Sequence, residues 1–222
     1  MDFQTFLQQF VNALSLGSLY ALIAIGYTMV YGILRLINFA HGDVFMLGGY
    51  LAFYGVSAFF MPWWLAVLVA IALTTVFGVG LERAAYRPLR GSTRLAPLIS
   101  AIGMSIFLQN WVALGQGARD MAVPALLPGA LRFGAEGAFE IYIPYSRVMI
   151  IVVAVALMIA LTLYIKHSRM GRASRACAQD MHMANLLGID TNRVVSFTFI
   201  LGAMLAAVGG VLIALAVGKL NP

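Results

Sequence analysis

A chain of 222 residues is long enough for one or two soluble domains, but 62% of it is hydrophobic and only 10% is charged, with a mean hydropathy of +0.93. Soluble domains carry about 25% charged residues, so a water-exposed globule is excluded and an integral membrane protein is expected. The net charge of +6 calls for no nucleic acid, because the basic residues gather in two loops between apolar runs.

A bilayer core about 30 Å thick takes about 20 apolar residues per helix. In chain order, Phe10 to Leu34, Val44 to Phe60, Trp64 to Leu81, Leu95 to Leu114, Val148 to Ile165 and Val194 to Val217 approach that length, the second being the shortest. The fold expected is an all-α integral membrane protein, a polytopic helical bundle of about six transmembrane helices forming one membrane-spanning domain over residues 1–222. The opening MDFQTFLQQF has no positive residue ahead of its apolar stretch and no small-residue cleavage site, so the first helix is expected to stay.

Between the first two runs lies NFAHGDVFMLGGY, Asn38 to Tyr50. Asp43 is placed to meet the unpaired amides and positive dipole end of the second helix, and Asn38 to satisfy carbonyls left open as the first helix ends. Gly42, Gly48 and Gly49 allow a sharp turn and close packing. The same residues would also suit a discontinuous helix beside a transport pathway.

Arg83, Arg87, Arg90 and Arg94 cluster after the third run, and Lys166, Arg169, Arg172, Arg175 and Arg193 after the fifth. The positive-inside rule makes both loops cytoplasmic. Arg35 is then also cytoplasmic, while the Met61 to Trp63 turn, the 115–147 segment and both termini face out. That outer segment mixes Arg119, Arg132 and Arg147 with Asp120, Glu136 and Glu140, and carries Pro124, Pro128, Pro144, Gly129, Gly134 and Gly137, which leave little room for a helix. Alternation of Phe139, Ile141 and Ile143 predicts a short strand on the membrane surface.

The 166–193 loop contains GRASRACAQDMHMANLLGID, Gly171 to Asp190, too polar to span. Ala173, Cys177, Met181, Ala184 and Leu187 recur every three or four residues, predicting one short amphipathic helix with Gly188 as its stop. A headgroup-bound helix fits this spacing as well as one docked on protein. Gly17, Gly26, Gly32, Gly78, Gly80, Gly202, Gly209 and Gly210 read as helix-packing positions. The polar side chains within the spans, Asn12, Ser15, Ser18, Thr28, Ser100, Ser105, Gln109, Asn110, Thr162, Ser196 and Thr198, include no ionised group, which argues against a proton-driven carrier.

No motif for a hydrolase, a metalloprotease or a phosphate-binding loop occurs, and the one cysteine, Cys177, excludes an internal disulfide. No catalytic residue, metal site or cofactor is therefore assigned. An enzyme would have to use His41 or Asp43. A channel or secondary carrier for small amides or amino acids fits the composition equally well, and active transport would need a partner to supply energy.

Three strings, NALSLGSLYALIAIGYTMVYGILRLINFAHGDVFMLGGY, ERAAYRPLRGSTRLAPLISAIGMSIFLQN and SRMGRASRACAQDMHMANLLGIDTNRVVSFTFILGAMLAAVGGVL, resemble the LivH-type permease of bacterial branched-chain amino acid ABC importers. The resemblance runs over nearly the whole chain and is weakest from Ala122 to Tyr145. It implies a bacterial inner-membrane permease that pairs with a second homologous permease subunit, binds two cytoplasmic ATPase subunits and receives its substrate from a periplasmic amino-acid-binding protein. It also implies that Arg172 to Gly188 is the coupling helix that docks on the ATPase, with Ala176, Ala178 and Gly188 at matching positions and Arg172, Arg175 and Ala184 beside them. Gln179 and Asp180 stand where the usual importer motif begins with glutamate. Asn12, Ser15, Ser18, Asn38 and Asp43 are the expected polar contacts of the substrate pathway. The family continues with further helices beyond the position of Asn221 and Pro222, so the resemblance predicts a C-terminally incomplete chain.

Overall fold

The computed structural model describes residues 3–89, 92, 95–117, 121–122, 129–133, 141–217 and 219–220. Arg90, Arg94, Arg119, Asp120, Pro124, Pro128, Gly134, Glu136, Gly137, Phe139, Glu140, Asn221 and Pro222 lie outside the described residues. Six long helices run back and forth: α1 (Phe3–Leu34), α2 (Ala40–Ser57), α3 (Trp63–Leu81), α4 (Leu95–Gln116), α5 (Tyr145–His167) and, after the short α6 (Arg169–Gln179) and α7 (Met181–Leu186), α8 (Thr191–Val217). A π-helical turn, Glu82–Tyr86, and a 3-10 turn, Arg87–Leu89, extend α3. The all-α, polytopic architecture expected from composition is present.

Five of these helices are long and apolar enough to cross a bilayer; α2 is the exception to the six expected spans. It covers 18 residues and buries His41, Asp43, Gly48, Gly49 and Tyr50. The reason is its position. It packs along α3 and α8 inside the bundle, so its polar side chains meet protein rather than lipid and its mean hydropathy need not match that of its neighbours. By contrast α5 is largely exposed, as a helix bathed in acyl chains should be, whereas most of α8 is buried at the centre.

Small residues let α2 and α8 meet at backbone distance. A Cβ on Gly48 would lie 2.6 Å from Ala207 Cα, and one on Gly210 would collide with the Phe45 carbonyl. Gly78 of α3 faces the methyl of Ala203 in the same way. Lipid tails are as apolar as leucine, so such contacts, rather than exclusion from water, hold membrane helices together. Gly17, Gly32 and Gly80 do not pack as expected: a side chain there would meet nothing within 4 Å.

Left-handed backbone ends α1 and follows α2, with φ of 52° at Arg35 and 51° at Phe60. The Arg35 amide donates to Tyr31 O at 2.7 Å, closing the last turn of α1. At the other end of the bundle β2 (Ala130–Phe133) pairs antiparallel with β3 (Ile141–Pro144), and β1 (Met121–Ala122) with β4 (Lys219–Leu220). The single strand expected over Phe139 to Ile143 is therefore a two-stranded unit whose partner is Ala130–Phe133. The Gln8 amide binds it to α1, donating to Tyr142 O at 2.9 Å and accepting from Tyr142 N at 3.0 Å.

Replacing Gly48 by valine should force α2 from α8, and overpacking of this kind costs about 1–3 kcal/mol. Thermal unfolding in detergent is expected to shift downward for Gly48→Val and to stay unchanged for Gly17→Ala.

Candidate functional site

Two regions at one end of the bundle hold the residues singled out by the sequence. The first is a buried polar cluster around the start of α2. Tyr86 donates its hydroxyl to Asn38 Oδ1 at 2.6 Å. Gln109 of α4 donates to Asp43 Oδ1 at 3.0 Å and to Ser105 Oγ at 3.3 Å. The expected capping roles are corrected here: Asp43 lies in the first turn of α2 but no side chain caps that helix, and the Asn38 oxygen serves Tyr86 rather than the end of α1. The tertiary partners outcompete the local ones because both side chains point into the bundle, Asp43 at 6% and Asn38 at 8% exposure.

Ionised residue types do lie inside the bundle, contrary to the expectation. Asp43 is buried, and Glu82, 0% exposed, accepts from Ser196 Oγ at 3.1 Å through Oε2. Asp43 was singled out, but as a residue just ahead of the run that starts at Val44, whereas α2 begins at Ala40; Glu82 escaped the sequence reading because it sits just past Leu81, where the π-helical turn carries α3 on. A usable signal was present, since Thr74, Gly78 and Glu82 recur every four residues, on the face of α3 that is buried. Among the described residues, the buried atoms Asp43 Oδ2 and His41 Nε2 have no hydrogen-bond partner. His41 shares with Asn38, Val44, Gly78, Leu81 and Gly202 a cavity of about 10 Å³, which is room for about one water.

Asn12, Ser15 and Ser18 are not brought to this cluster. Ser15 and Ser18 donate to Val11 O and Leu14 O of their own helix at 3.0 and 2.8 Å, and Asn12 bonds Gln8 and Gln9. Twenty-two residues of helix, about 33 Å, separate Asn12 from the end of α1.

The second region is the segment from Ser168 to Asp190. It is an elbow of two helices rather than the single helix expected. Asp180 breaks it with extended backbone and then caps α7, its Oδ1 accepting from Met183 N at 2.9 Å. Gly188, at φ 85°, ends α7: its amide donates to Asn185 O and that of Ile189 to Ala184 O, each at 3.0 Å. This pair of bonds needs a left-handed residue, so glycine belongs there on backbone grounds alone.

Arg172 and Arg175 brace the corner between α5 and α6. Arg172 donates to His167 O at 3.1 Å and Arg175 to Ile165 O, occupying carbonyls that the end of α5 leaves open. Ser168 caps α6 by accepting from Gly171 N at 2.8 Å, and a Cβ on Gly171 would strike Ile165 O. Cys177 and Ala184 are buried, with Ala173, Ala176, Ala178 and Met181 packed against the same core. Leu187 departs from the expected apolar stripe. It is 82% exposed, and with Met183 and Leu186 forms an outward apolar face on and just after α7. On the inner side, Arg35 Nη2 donates to Gln179 O at 3.4 Å across a groove of about 380 Å³.

Among the described residues no three His, Cys, Asp or Glu side chains converge as metal ligands. Burial pushes the Cys177 thiol pKa up, so its thiolate, the reactive form, is scarce at neutral pH. Maleimide labelling of native protein should be at least about tenfold slower than after denaturation and should accelerate as pH rises; rapid labelling at neutral pH would show that the elbow does not pack as described.

The family model described as branched-chain amino acid transport system / permease component matches residues 9–222. The high-affinity branched-chain amino acid transport system permease protein BraD of Pseudomonas aeruginosa is 52% identical over 225 residues, covering 98% of this chain and 73% of the relative. The corresponding LivH proteins of Salmonella typhimurium and Escherichia coli K12 are each 51% identical over 229 residues, covering all of this chain and 74% of the relative. No solved structure matches. The relatives are transport components rather than enzymes, and the chain, a multi-pass membrane protein, belongs to the branched-chain amino acid transport permease family.

Proposed function

We propose that this chain is a transmembrane subunit of an ATP-binding-cassette importer that moves branched-chain amino acids across the bacterial inner membrane. Separate ATPase subunits drive it, two of them on the cytoplasmic side, a periplasmic binding protein feeds it, and a second homologous permease completes the pathway. The observation that carries the reading is the elbow of α6 and α7. Its inner side is cemented to the bundle through Cys177 and Ala184, while Met183, Leu186 and Leu187 stand exposed at its tip. An apolar tip beside exposed arginines suits a protein groove, and the rigid α5–α6 corner suits transmission of force.

The charge pattern supports the orientation. Arg35, Arg83, Arg87, Lys166, Arg169, Arg172, Arg175 and Arg193 lie at or between the elbow-side ends of the long helices, which makes that end cytoplasmic. In this reading Ala176, Ala178, Gln179 and Asp180 shape the elbow, and the tip makes the docking contact. The substrate meets apolar helix faces, with Asn38 and Asp43 as polar contacts for its zwitterionic end. Leucine, isoleucine and valine differ by methylene-scale groups worth about 1–3 kcal/mol in a pocket, so selection among them falls largely to the binding protein.

Co-purification in mild detergent checks the assembly. The unaltered chain should retain an ATPase subunit, and isolation of the chain alone would favour a channel or secondary carrier. Leu186→Asp and Leu187→Asp should lose the ATPase while inserting normally, because surface changes typically alter stability by no more than about 0.5 kcal/mol. A second expectation concerns Gly188: a bulky residue there should uncouple ATP hydrolysis from uptake, with normal uptake counting against the elbow as the coupling element.

A further inference from the structure

If the elbow receives the ATPase, its movement must reach the break between α1 and α2, where Asn38 and the start of α2 lie. The contacts at this end give a route. The elbow leads through Gly188 into α8, and Ser196 on the second turn of α8 donates to Glu82 Oε2 at 3.1 Å. Glu82 opens the π-helical turn and Tyr86 closes it. Tyr86 in turn donates to Asn38 Oδ1 at 2.6 Å, and its ring lies 5.3 Å from that of Phe199 on α8. Around these bonds, Cys177 of α6, Ala184 of α7, Val194 and Val195 of α8, and Val30 and Ile33 of α1 form one buried core.

We infer that Glu82 and Tyr86 are positioning residues that tie α8 to the α1–α2 break, so that displacement of the elbow resets Asn38. The inference rests on the importer reading. Two features distinguish these contacts from ordinary packing. They are directional hydrogen bonds between separate elements in a buried setting, where a bond left unmade is costly. They are also carried by a π-helical turn, a rare geometry that occurs frequently at functional sites. Arg35 bonded to Gln179 O at 3.4 Å gives a second, solvent-exposed link between the same elbow and the same break.

The test uses the complete complex, with its ATPase and binding-protein partners, reconstituted in proteoliposomes and assayed for leucine uptake and ATP hydrolysis together. Tyr86→Phe and Ser196→Ala each delete one hydroxyl. Each should leave ATP hydrolysis in place and lower leucine moved per ATP by about two- to tenfold. The double variant should be no worse than the weaker single variant, because both interrupt one route. Thr162→Val, which removes a hydroxyl bonded to Met158 O on the exposed α5, should leave the ratio unchanged. An unchanged ratio in both single variants overturns the inference, as does an additive double variant. So does a fall in assembled complex with a normal ratio in what survives, which is the signature of a purely structural role. Absence of leucine uptake by the unaltered complex would instead overturn the importer reading.

Discussion

Where Gly48 meets Ala207 and Gly210 meets the Phe45 carbonyl, α2 and α8 touch backbone to backbone. The polar cluster depends on that contact. Asp43 and His41 lie buried near the start of this helix, and a charge or imidazole left facing lipid costs several kcal/mol. Held close, α2 delivers Asp43 to Gln109 and places Asn38 beside Tyr86. Glycine and alanine at a few positions thus decide which polar residues the membrane-spanning core can carry.

Much of this was legible in the sequence. Apolar run length located all six long helices, and the ends agreed to within a few residues except at the start of α1, which begins at Phe3 rather than Phe10. That discrepancy has a simple origin: Gln4, Gln8 and Gln9 lower the hydropathy of turns that are helical nonetheless, and Gln8 is occupied by the Tyr142 backbone. The run at α2 is the shortest for a related reason: a helix surrounded by protein is not selected for a lipid-facing composition. Gly188 was readable as a stop because left-handed backbone demands one residue type above others. Asp180 was not readable as a break, since its cap on Met183 depends on backbone angles that spacing does not report.

Arginine at the elbow illustrates a further limit of pattern reading. The family resemblance implied Arg172 and Arg175 as coupling residues, yet both guanidinium groups are committed to carbonyls at the end of α5. Charge counting identifies the side of the membrane without identifying each charge's partner. Leu186 and Leu187 could have covered the core and instead stand outward, and the proposed docking contact rests on them rather than on the arginines.

The corner between α5 and α6 has a mechanical consequence. With Ser168, Gly171, Arg172 and Arg175 all engaged against the end of α5, the short helix and the long one turn as a single bent bar. The long arm has 23 residues, about 35 Å, so rotation of the corner by about 5° carries its far tip about 3 Å. That arm is held on one side only, where Ile150 and Leu161 pack with Leu19, Leu22, Leu205 and Leu212, and is exposed over most of its remaining surface. A small rotation at the corner is therefore amplified at the opposite face of the bilayer, where α5 begins beside the small β2–β3 sheet.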